Sequence, residues 1–250
     1  MNQQSCPVCA SMSTALDVVD FNKCCEEARE SYLALSGMPI YYFLCDHCGF
    51  CFAPEICAWS MDDFATKIYN SDYVMVDPDY VDSRPRQNAD TVVNMFADQK
   101  AAIRHLDYGG GEGMLSRLLR EQGFDSTSYD PFVDKQLTIE ELGKFNLITA
   151  FEVFEHVPSV DALTEQLVSL LSDEGIILFS TMLSDGHIKR HERLTWWYAA
   201  PRNGHISLYS NKSLTVIAQQ EQLAFGSFSE GFHAFWRAVP TWARHIINVS

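Results

Sequence analysis

The chain has 250 residues, of which 47% are hydrophobic and 20% are charged, a composition that allows one sizeable core and a small additional module. Its 33 acidic and 18 basic residues give a formal net charge of −15, which makes nucleic acid a poor general partner. No apolar run is long enough to span a bilayer, and the N-terminal residues do not resemble a signal peptide. We therefore expect a cytoplasmic protein.

All eight cysteines lie within the first 57 residues, and four of them form two Cys-x-x-Cys pairs, Cys6 with Cys9 and Cys45 with Cys48. Each pair places two thiolates on one tight turn, and two such turns complete a tetrahedral zinc site. Four thiolates leave no open coordination position, so we predict a structural zinc in a zinc-ribbon-like module over residues 1–58. Disulfides are the alternative, which a cytosolic compartment disfavours. The remaining cysteines are interpreted as buried thiols or as ligands of a second site: Cys24, Cys25, Cys51 and Cys57.

Residues 59–100 form an acidic, tyrosine-rich connector without cysteine. The pattern predicts one helix from Met61 to Tyr69 and a second helix that Asn88 caps. Tyr73 has two interpretations. It either packs between the two modules or belongs to a lid that hydrogen-bonds the cofactor or the substrate.

A glycine-rich loop follows the apolar strand that ends at Leu106 and precedes an amphipathic helix. A strand, a glycine loop and a helix together direct backbone N–H groups at a ligand. The dinucleotide fingerprint fails here, because its third glycine would fall on Met114. The acidic Glu112 also disfavours a phosphate but tolerates the ammonium and sulfonium groups of S-adenosylmethionine. The residues expected at the cofactor are Asp107, Gly109, Gly111 and Gly113.

Asp130 lies 23 positions after Asp107, at the predicted end of the next strand. An acidic group there accepts hydrogen bonds from ribose hydroxyls in Rossmann-type sites. We expect Asp130 to hold the ribose, Pro131 to flank the adenine and Asp107 to lie near the cofactor ammonium.

The segment from Phe145 to Ala150 is almost continuously apolar, as expected of a central parallel strand. Phe151 and Glu152 follow it, and we expect them to line the cofactor pocket. The order of strands and helices predicts an α/β domain over residues 101–250, with a doubly wound, Rossmann-like sheet. Between Asp130 and Phe145 the pattern leaves room only for a short third strand at 136–139.

The last third of the chain contains an Asn-Gly-His loop with His205, and a helix capped by Ser210 or Asn211 is expected after it. The aromatic stretch 227–237 predicts antiparallel strands that close the sheet. Its aromatic side chains are interpreted as core or as a homodimer face, and the alternative is that they form a wall of the substrate site.

Two motifs carry a resemblance to a known family. The loop pattern Asp-x-Gly-x-Gly-x-Gly resembles motif I of class I S-adenosylmethionine-dependent methyltransferases, and Glu152-x-x-Glu155-His156 resembles a signature of their small-molecule members. With the cysteine module, the chain is similar to bacterial methyltransferases that carry a zinc-binding domain, some of which methylate sugars. The resemblance implies methyl transfer to a small molecule, such as a sugar or polysaccharide precursor.

Methyl transfer is an in-line displacement, for which an enzyme mainly aligns donor and acceptor. A hydroxyl acceptor must also lose its proton, and His156 and His205 are the candidate bases. Two alternatives remain. One is an RNA methyltransferase whose zinc module recognises nucleic acid, and the other is a non-catalytic, zinc-containing binding protein.

Overall fold

The computed structural model describes residues 3–247. The chain divides into two compact units, each assembled from three stretches of sequence. Unit 1 contains Met1–Pro78, Phe154–Asp161 and Thr181–Ile217, and unit 2 contains Asp79–Val153, Ala162–Ser180 and Ala218–Ser250. The three-part division expected from the sequence stays a prediction. Within residues 3–247, no helix has the length and apolar character needed to cross a bilayer.

Four strands and then four helices come first, and strands and helices alternate between residues 104 and 180. The strands are β1 Gln3–Ser5, β2 Met12–Asp20, β3 Pro39–Cys45, β4 Cys51–Phe52, β5 Arg104–Tyr108, β6 Asp125–Tyr129, β7 Phe145–Phe151, β8 Leu171–Ser180, β9 Ser207–Leu208, β10 Ala224–Ser229 and β11 Phe232–Trp236. The helices are α1 Pro54–Cys57, α2 Met61–Lys67, α3 Tyr73–Val76, α4 Ser83–Phe96, α5 Met114–Glu121, α6 Ile139–Leu142, α7 Val160–Leu170 and α8 Asn211–Gln220. Short 3₁₀ helices include Phe154–His156 and Pro201–Asn203.

Unit 1 is built on an antiparallel sheet in the order β1-β2-β3-β4-β9. The strand expected before the second cysteine pair is confirmed as β3. The β2–β3 register places Ser13 opposite Cys45. Because Cys6 and Cys9 immediately precede β2 and Cys45 ends β3, this register brings the two cysteine pairs side by side.

Unit 2 contains a sheet in the order β10-β11-β8-β7-β5-β6. Strands β6, β5, β7 and β8 are parallel, whereas β11 and β10 are antiparallel. The predicted α/β class and the antiparallel closing strands are confirmed. One hydrophobic cluster of this unit contains the buried residues Ala89, Val92, Phe96, Ile103, Leu115, Leu119, Phe124, Leu147, Ile176, Leu178, Ala234, Ala243 and Ile247.

Two local predictions are wrong. The short third strand does not form at 136–139, because Thr138 and Glu141 make a capping box that begins α6. Asn88 does not cap a helix, since α4 already begins at Ser83 and contains it. Pro85 is tolerated in the first turn of α4, where backbone N–H groups have no helical partner.

A buried polar network ties the neighbouring strands β7, β5 and β6 of unit 2 together. His105 on β5 is fully buried, and its ring bonds the hydroxyls of Ser126 at 2.7 Å and Thr149 at 2.9 Å. Burial lowers the pKa of His105 to about 3, so the ring is neutral in the fold at ordinary pH. The unfolded chain takes up a proton on this residue near pH 6.5.

This difference makes His105 a source of acid instability. Because its folded pKa is depressed, we expect its contribution to stability to be complete above about pH 6.5 and to fall by about 1.4 kcal/mol per pH unit below it, until the folded group titrates. Urea unfolding between pH 7 and pH 4 measures this slope. His105→Gln should show a shallower slope than the wild type, whereas exposed His187→Gln should not. Equal slopes for all three proteins would contradict the assignment.

Candidate functional site

The two cysteine pairs adopt the same backbone turn. In each turn the fourth residue after the first cysteine donates its N–H to that cysteine's carbonyl, Ala10 to Cys6 and Gly49 to Cys45, both at 2.9 Å. The N–H of each first cysteine in turn donates to the carbonyl five residues later. Ala10 and Gly49 both have positive φ, 57° and 76°. The two turns therefore present their sulfurs in equivalent ways.

The four sulfurs form one compact cluster in unit 1, within 4.8 Å of one another. The Cys6 and Cys48 sulfurs are 3.6 Å apart, and those of Cys9 and Cys45 are 3.5 Å apart. Four thiolates at about 2.3 Å from a tetrahedral zinc would be separated by about 3.8 Å, so the cluster fits that ion. A hydrogen bond from the Cys48 thiol lowers the pKa of Cys6 to about 5. Deprotonated sulfur is the form that ligates metal.

The glycine loop of unit 2 turns back tightly against neighbouring side chains. Gly109 has φ +74°, and a Cβ there would lie 2.6 Å from Cγ2 of Val153. A Cβ at Gly110 would lie 2.4 Å from a carboxylate oxygen of Asp107. Gly111 and Gly113 also have positive φ, of 53° and 72°. The backbone path thus requires residues without a side chain.

Two carboxylates lie beside this loop, near the ends of the neighbouring parallel strands β5 and β6. Asp107 on β5 is buried and accepts a hydrogen bond from Thr149 at 3.1 Å. Burial raises the pKa of Asp107 to about 7, with the Thr149 bond opposing that rise and nearby Asp130 adding to it. Asp130 follows β6 and accepts the N–H of Gly111 at 3.0 Å and that of Phe132 at 2.8 Å. Each carboxylate oxygen has two lone-pair directions, so Asp130 keeps capacity for further donors.

The other residues predicted to bind the cofactor differ in burial and in hydrogen-bond partners. Glu152 has φ +55°, and its carboxylate accepts the Ser180 hydroxyl at 2.7 Å. Phe151 is half-buried at the end of β7, and Pro131 is exposed. Tyr73 belongs to unit 1, where its hydroxyl donates to the carbonyl of Asn203 at 3.3 Å. Their roles at a cofactor remain predictions.

The two histidines singled out in the sequence meet in unit 1, with ring centroids 4.9 Å apart. Glu155 is fully buried beside them, and its carboxylate accepts the Tyr198 hydroxyl at 2.5 Å. The Nδ1 of His205 lies 2.8 Å from the Tyr198 carbonyl. Gly204 has φ +88°, and a Cβ there would lie 3.1 Å from Nδ1 of His156. The absence of a side chain at Gly204 therefore lets the backbone pass close to the His156 ring.

Sequence reasoning did not assign a role to Glu155 or Tyr198. Glu155 was visible as part of the Glu-x-x-Glu-His pattern, but the pattern alone does not say which of its two glutamates is buried. Tyr198 is 43 positions away from Glu155, and no spacing rule links the two. Only the fold shows that they form one polar group with His156 and His205.

The glycine loop allows a test that separates steric collision from backbone strain. Gly109→Ala and Gly111→Ala both place an L-residue at positive φ, which costs about 1–2 kcal/mol. Only Gly109→Ala also drives a methyl group into Val153, since nothing lies within 4 Å of a Cβ at Gly111. We therefore expect Gly109→Ala to be clearly the less stable variant in urea unfolding.

Val153→Ala supplies the control for this comparison. It removes the colliding methyl groups, so it should rescue part of the Gly109→Ala loss and none of the Gly111→Ala loss. Equal destabilisation by the two glycine variants, with no rescue, would show that the loop is not packed as described.

Comparison with known proteins identifies the family. A methyltransferase-domain profile matches residues 80–225. The ubiquinone biosynthesis O-methyltransferase of Bordetella avium is 27% identical over 103 aligned residues, which cover 32% of this chain and 42% of that protein. The enzyme of the same name from Histophilus somni is 30% identical over 104 residues, which cover 31% and 44%. The matched region thus spans less than half the length of these curated relatives.

Two solved methyltransferase structures are among those similar to part of this chain. Human N-acetylserotonin methyltransferase, in complex with S-adenosylmethionine, is 13% identical with a TM-score of 0.48, over 70% of this chain and 60% of that one. A 1,6-didemethyltoxoflavin N1-methyltransferase from Burkholderia thailandensis is 15% identical with a TM-score of 0.45, over 74% and 93%. The family profile covers more than half of the chain and includes the glycine loop and both acidic residues. This chain therefore belongs to the methyltransferase-domain family.

Proposed function

We propose that the protein transfers a methyl group from S-adenosylmethionine to a hydroxyl of a small molecule. The observation that carries this proposal is the pair of carboxylates, Asp107 and Asp130, beside a glycine loop that has no room for a side chain at Gly109 or Gly110. The curated relatives are named as O-methyltransferases, which supports a hydroxyl acceptor. A sugar or polysaccharide precursor is the substrate class we favour.

The charge of the site suits this donor better than a phosphorylated one. Asp130 adds negative charge, and Glu112 in the loop is exposed. The pKa of Asp107 is raised to about 7, and a bound cation favours its charged form. A pyrophosphate would be repelled, whereas an ammonium and a sulfonium are attracted. The donor supplies an already activated methyl group, so the protein needs only to hold and align the reactants.

Each predicted residue receives a role in this proposal. Asp130 accepts the ribose hydroxyls, Asp107 lies toward the ammonium and Pro131 flanks the adenine. Phe151 and Glu152 line the same pocket. The glycines at 109, 111 and 113 let the backbone approach the donor.

The acceptor hydroxyl must lose a proton during transfer, and His156 and His205 are the proposed residues for this step. Imidazole titrates near neutral pH and is suited to general base catalysis. The rings are adjacent, and the buried carboxylate of Glu155 lies with them. A nearby carboxylate favours the protonated imidazolium that forms.

The four-cysteine cluster is proposed to hold a structural zinc. Its turns are equivalent, its sulfurs are suitably spaced and three of its members are buried. Four protein ligands leave no position for a substrate, so this ion would support folding rather than catalysis.

Calorimetry with S-adenosylhomocysteine tests the donor site. Asp130→Asn removes a charged acceptor, and hydrogen bonds to charged groups contribute about 1.5–3 kcal/mol, so we expect affinity to fall by roughly 10-fold to 150-fold. Asp125→Asn is the matched control, because Asp125 is exposed at the opposite end of the same strand. The control should bind like the wild type. No binding by the wild type, or tighter binding of a nicotinamide dinucleotide, would refute the proposal.

The acceptor class can be tested with S-adenosylmethionine labelled in its methyl group. The protein is incubated with the low-molecular-mass fraction and, separately, with the RNA fraction of a bacterial extract. We expect label in small molecules only. Label in RNA would favour the alternative of an RNA methyltransferase, and no label in either fraction from a protein that binds the donor would favour a binding role.

Metal analysis tests the structural zinc. Cys48→Ser removes one of four ligands, and we expect it to lower the zinc content by one atom per chain and to destabilise unit 1. Cys57→Ser is the control, because Cys57 lies outside the cluster. Unchanged zinc content in Cys48→Ser would contradict the assignment.

A further inference from the structure

A second group of metal-ligating side chains lies in unit 1, apart from the four cysteines. One ligand atom from each of Glu155, His156 and His205 lies within 4.8 Å of the other two. Glu155 has no exposed surface and His205 is 5% exposed, while His156 is half-buried. Two segments supply them, the 3₁₀ helix Phe154–His156 and the loop that leads into β9.

The donor set is that of a catalytic metal rather than a structural one. Two imidazoles and one carboxylate hold zinc in several hydrolases, and they hold ferrous iron in many oxygenases. Such sites keep at least one coordination position open, unlike a set of four thiolates. A carboxylate without exposed surface also gains from a neighbouring positive charge, because burial of an isolated anion is costly.

The hydrogen bonds place His205 in the form that ligates. A carbonyl oxygen can only accept, so the Nδ1 of His205 carries the hydrogen that it donates to Tyr198 at 2.8 Å. The lone pair of the ring is then on Nε2. A ligating histidine commonly donates its other nitrogen to a carbonyl or a carboxylate in this way. Cys25 lies 3.7 Å from the same Nδ1, so it is not placed on the ligating side of the ring.

Both segments are held by fully buried tyrosines. The Tyr42 hydroxyl donates to the His205 carbonyl at 2.7 Å, and the Tyr209 hydroxyl donates to the Phe154 carbonyl at 3.0 Å. The N–H of Ile206 also donates to the carbonyl of Glu155 at 2.9 Å, which joins the two segments directly. The three candidate ligands are therefore positioned before any ion arrives.

We infer that Glu155, His156 and His205 bind a divalent transition-metal ion of the zinc type, with an open coordination position. This ion is separate from the one proposed at the cysteines. Binding of the ion does not depend on methyl transfer.

Cobalt titration of the 250-residue chain, after removal of bound metal, tests the inference. Cobalt bound by thiolates gives intense charge-transfer absorption, whereas cobalt bound by nitrogen and oxygen gives only weak visible bands. We expect the wild type to bind two cobalt ions, one with each signature. His156→Ala and His205→Ala should keep the thiolate signal and lose the second ion. His187→Ala is the control, because His187 is exposed and stacks on Trp196, and it should bind two ions.

Tyr198→Phe provides a milder variant that keeps the aromatic ring. It removes the hydroxyl that donates to Glu155, and loss of such an outer partner costs roughly 10-fold to 100-fold in metal affinity. We expect affinity for the second ion to fall by that factor while the thiolate signal stays unchanged. The inference is overturned if the wild type binds cobalt only at the cysteines. It is also overturned if folded His156→Ala and His205→Ala variants bind the second ion as tightly as the wild type.

The readout is independent of the methyl donor, so the two proposals fail separately. A protein that binds S-adenosylhomocysteine but only one cobalt ion refutes the second metal site and leaves the methyltransferase proposal intact. A protein that binds two cobalt ions but no S-adenosylhomocysteine supports the second metal site and refutes the methyltransferase proposal.

Discussion

The parallel pairing of β5 with β6 is the constraint on which the proposed donor site depends. Its register places Asp107 opposite Ser128 and Tyr108 opposite Tyr129, so both strands end at the same edge of the sheet. Asp107 and Asp130 are consequently brought together although 22 residues separate them in sequence. Directly after Asp107 the chain must turn within a few residues. A Cβ at Gly110 would collide with Asp107, and a Cβ at Gly109 would collide with Val153. The pairing of β5 with β6 thus accounts both for the two neighbouring carboxylates and for the glycines at 109 and 110.

In unit 1, the antiparallel sheet likewise positions two groups of candidate ligands. The second cysteine turn leads into β4, and β4 pairs with β9, whose Ser207 lies opposite Phe52. Since His205 comes just before β9, the strand that is anchored beside the four cysteines also positions the loop that carries His205. A metal at the cysteines would therefore support the Glu155–His156–His205 group through the sheet. This gives a physical reason for a cysteine module in a chain whose chemistry is assigned to other residues.

Local patterns were sufficient to predict the parts of the fold that are repetitive or tightly spaced. The cysteine pairs, the glycine loop and the apolar strand at Phe145 each carry their signal within a few residues, and the α/β class follows from their order. Errors arose where two local signals competed. A few apolar residues near 136–139 suggested a strand, but the capping pair of Thr138 and Glu141 was the stronger signal.

The histidine group could not be derived in this way. His156 and His205 were singled out separately, as two candidates for one role, and nothing in the sequence indicated that their rings are adjacent. The burial of Glu155 and its bond to Tyr198 depend on long-range packing, which periodicity does not encode. The hydrogen bond from Tyr73 to the Asn203 carbonyl within unit 1 also joins residues far apart in sequence, and the role of Tyr73 at a cofactor stays a prediction.

The most direct test of the central claim is a crystal structure of the protein grown with S-adenosylhomocysteine. The account predicts that the homocysteine amine lies toward Asp107 and that both ribose hydroxyls donate to Asp130, with the chain of the donor running along the glycine loop. A ligand bound elsewhere, or a glycine loop that holds a phosphate group instead, would contradict it.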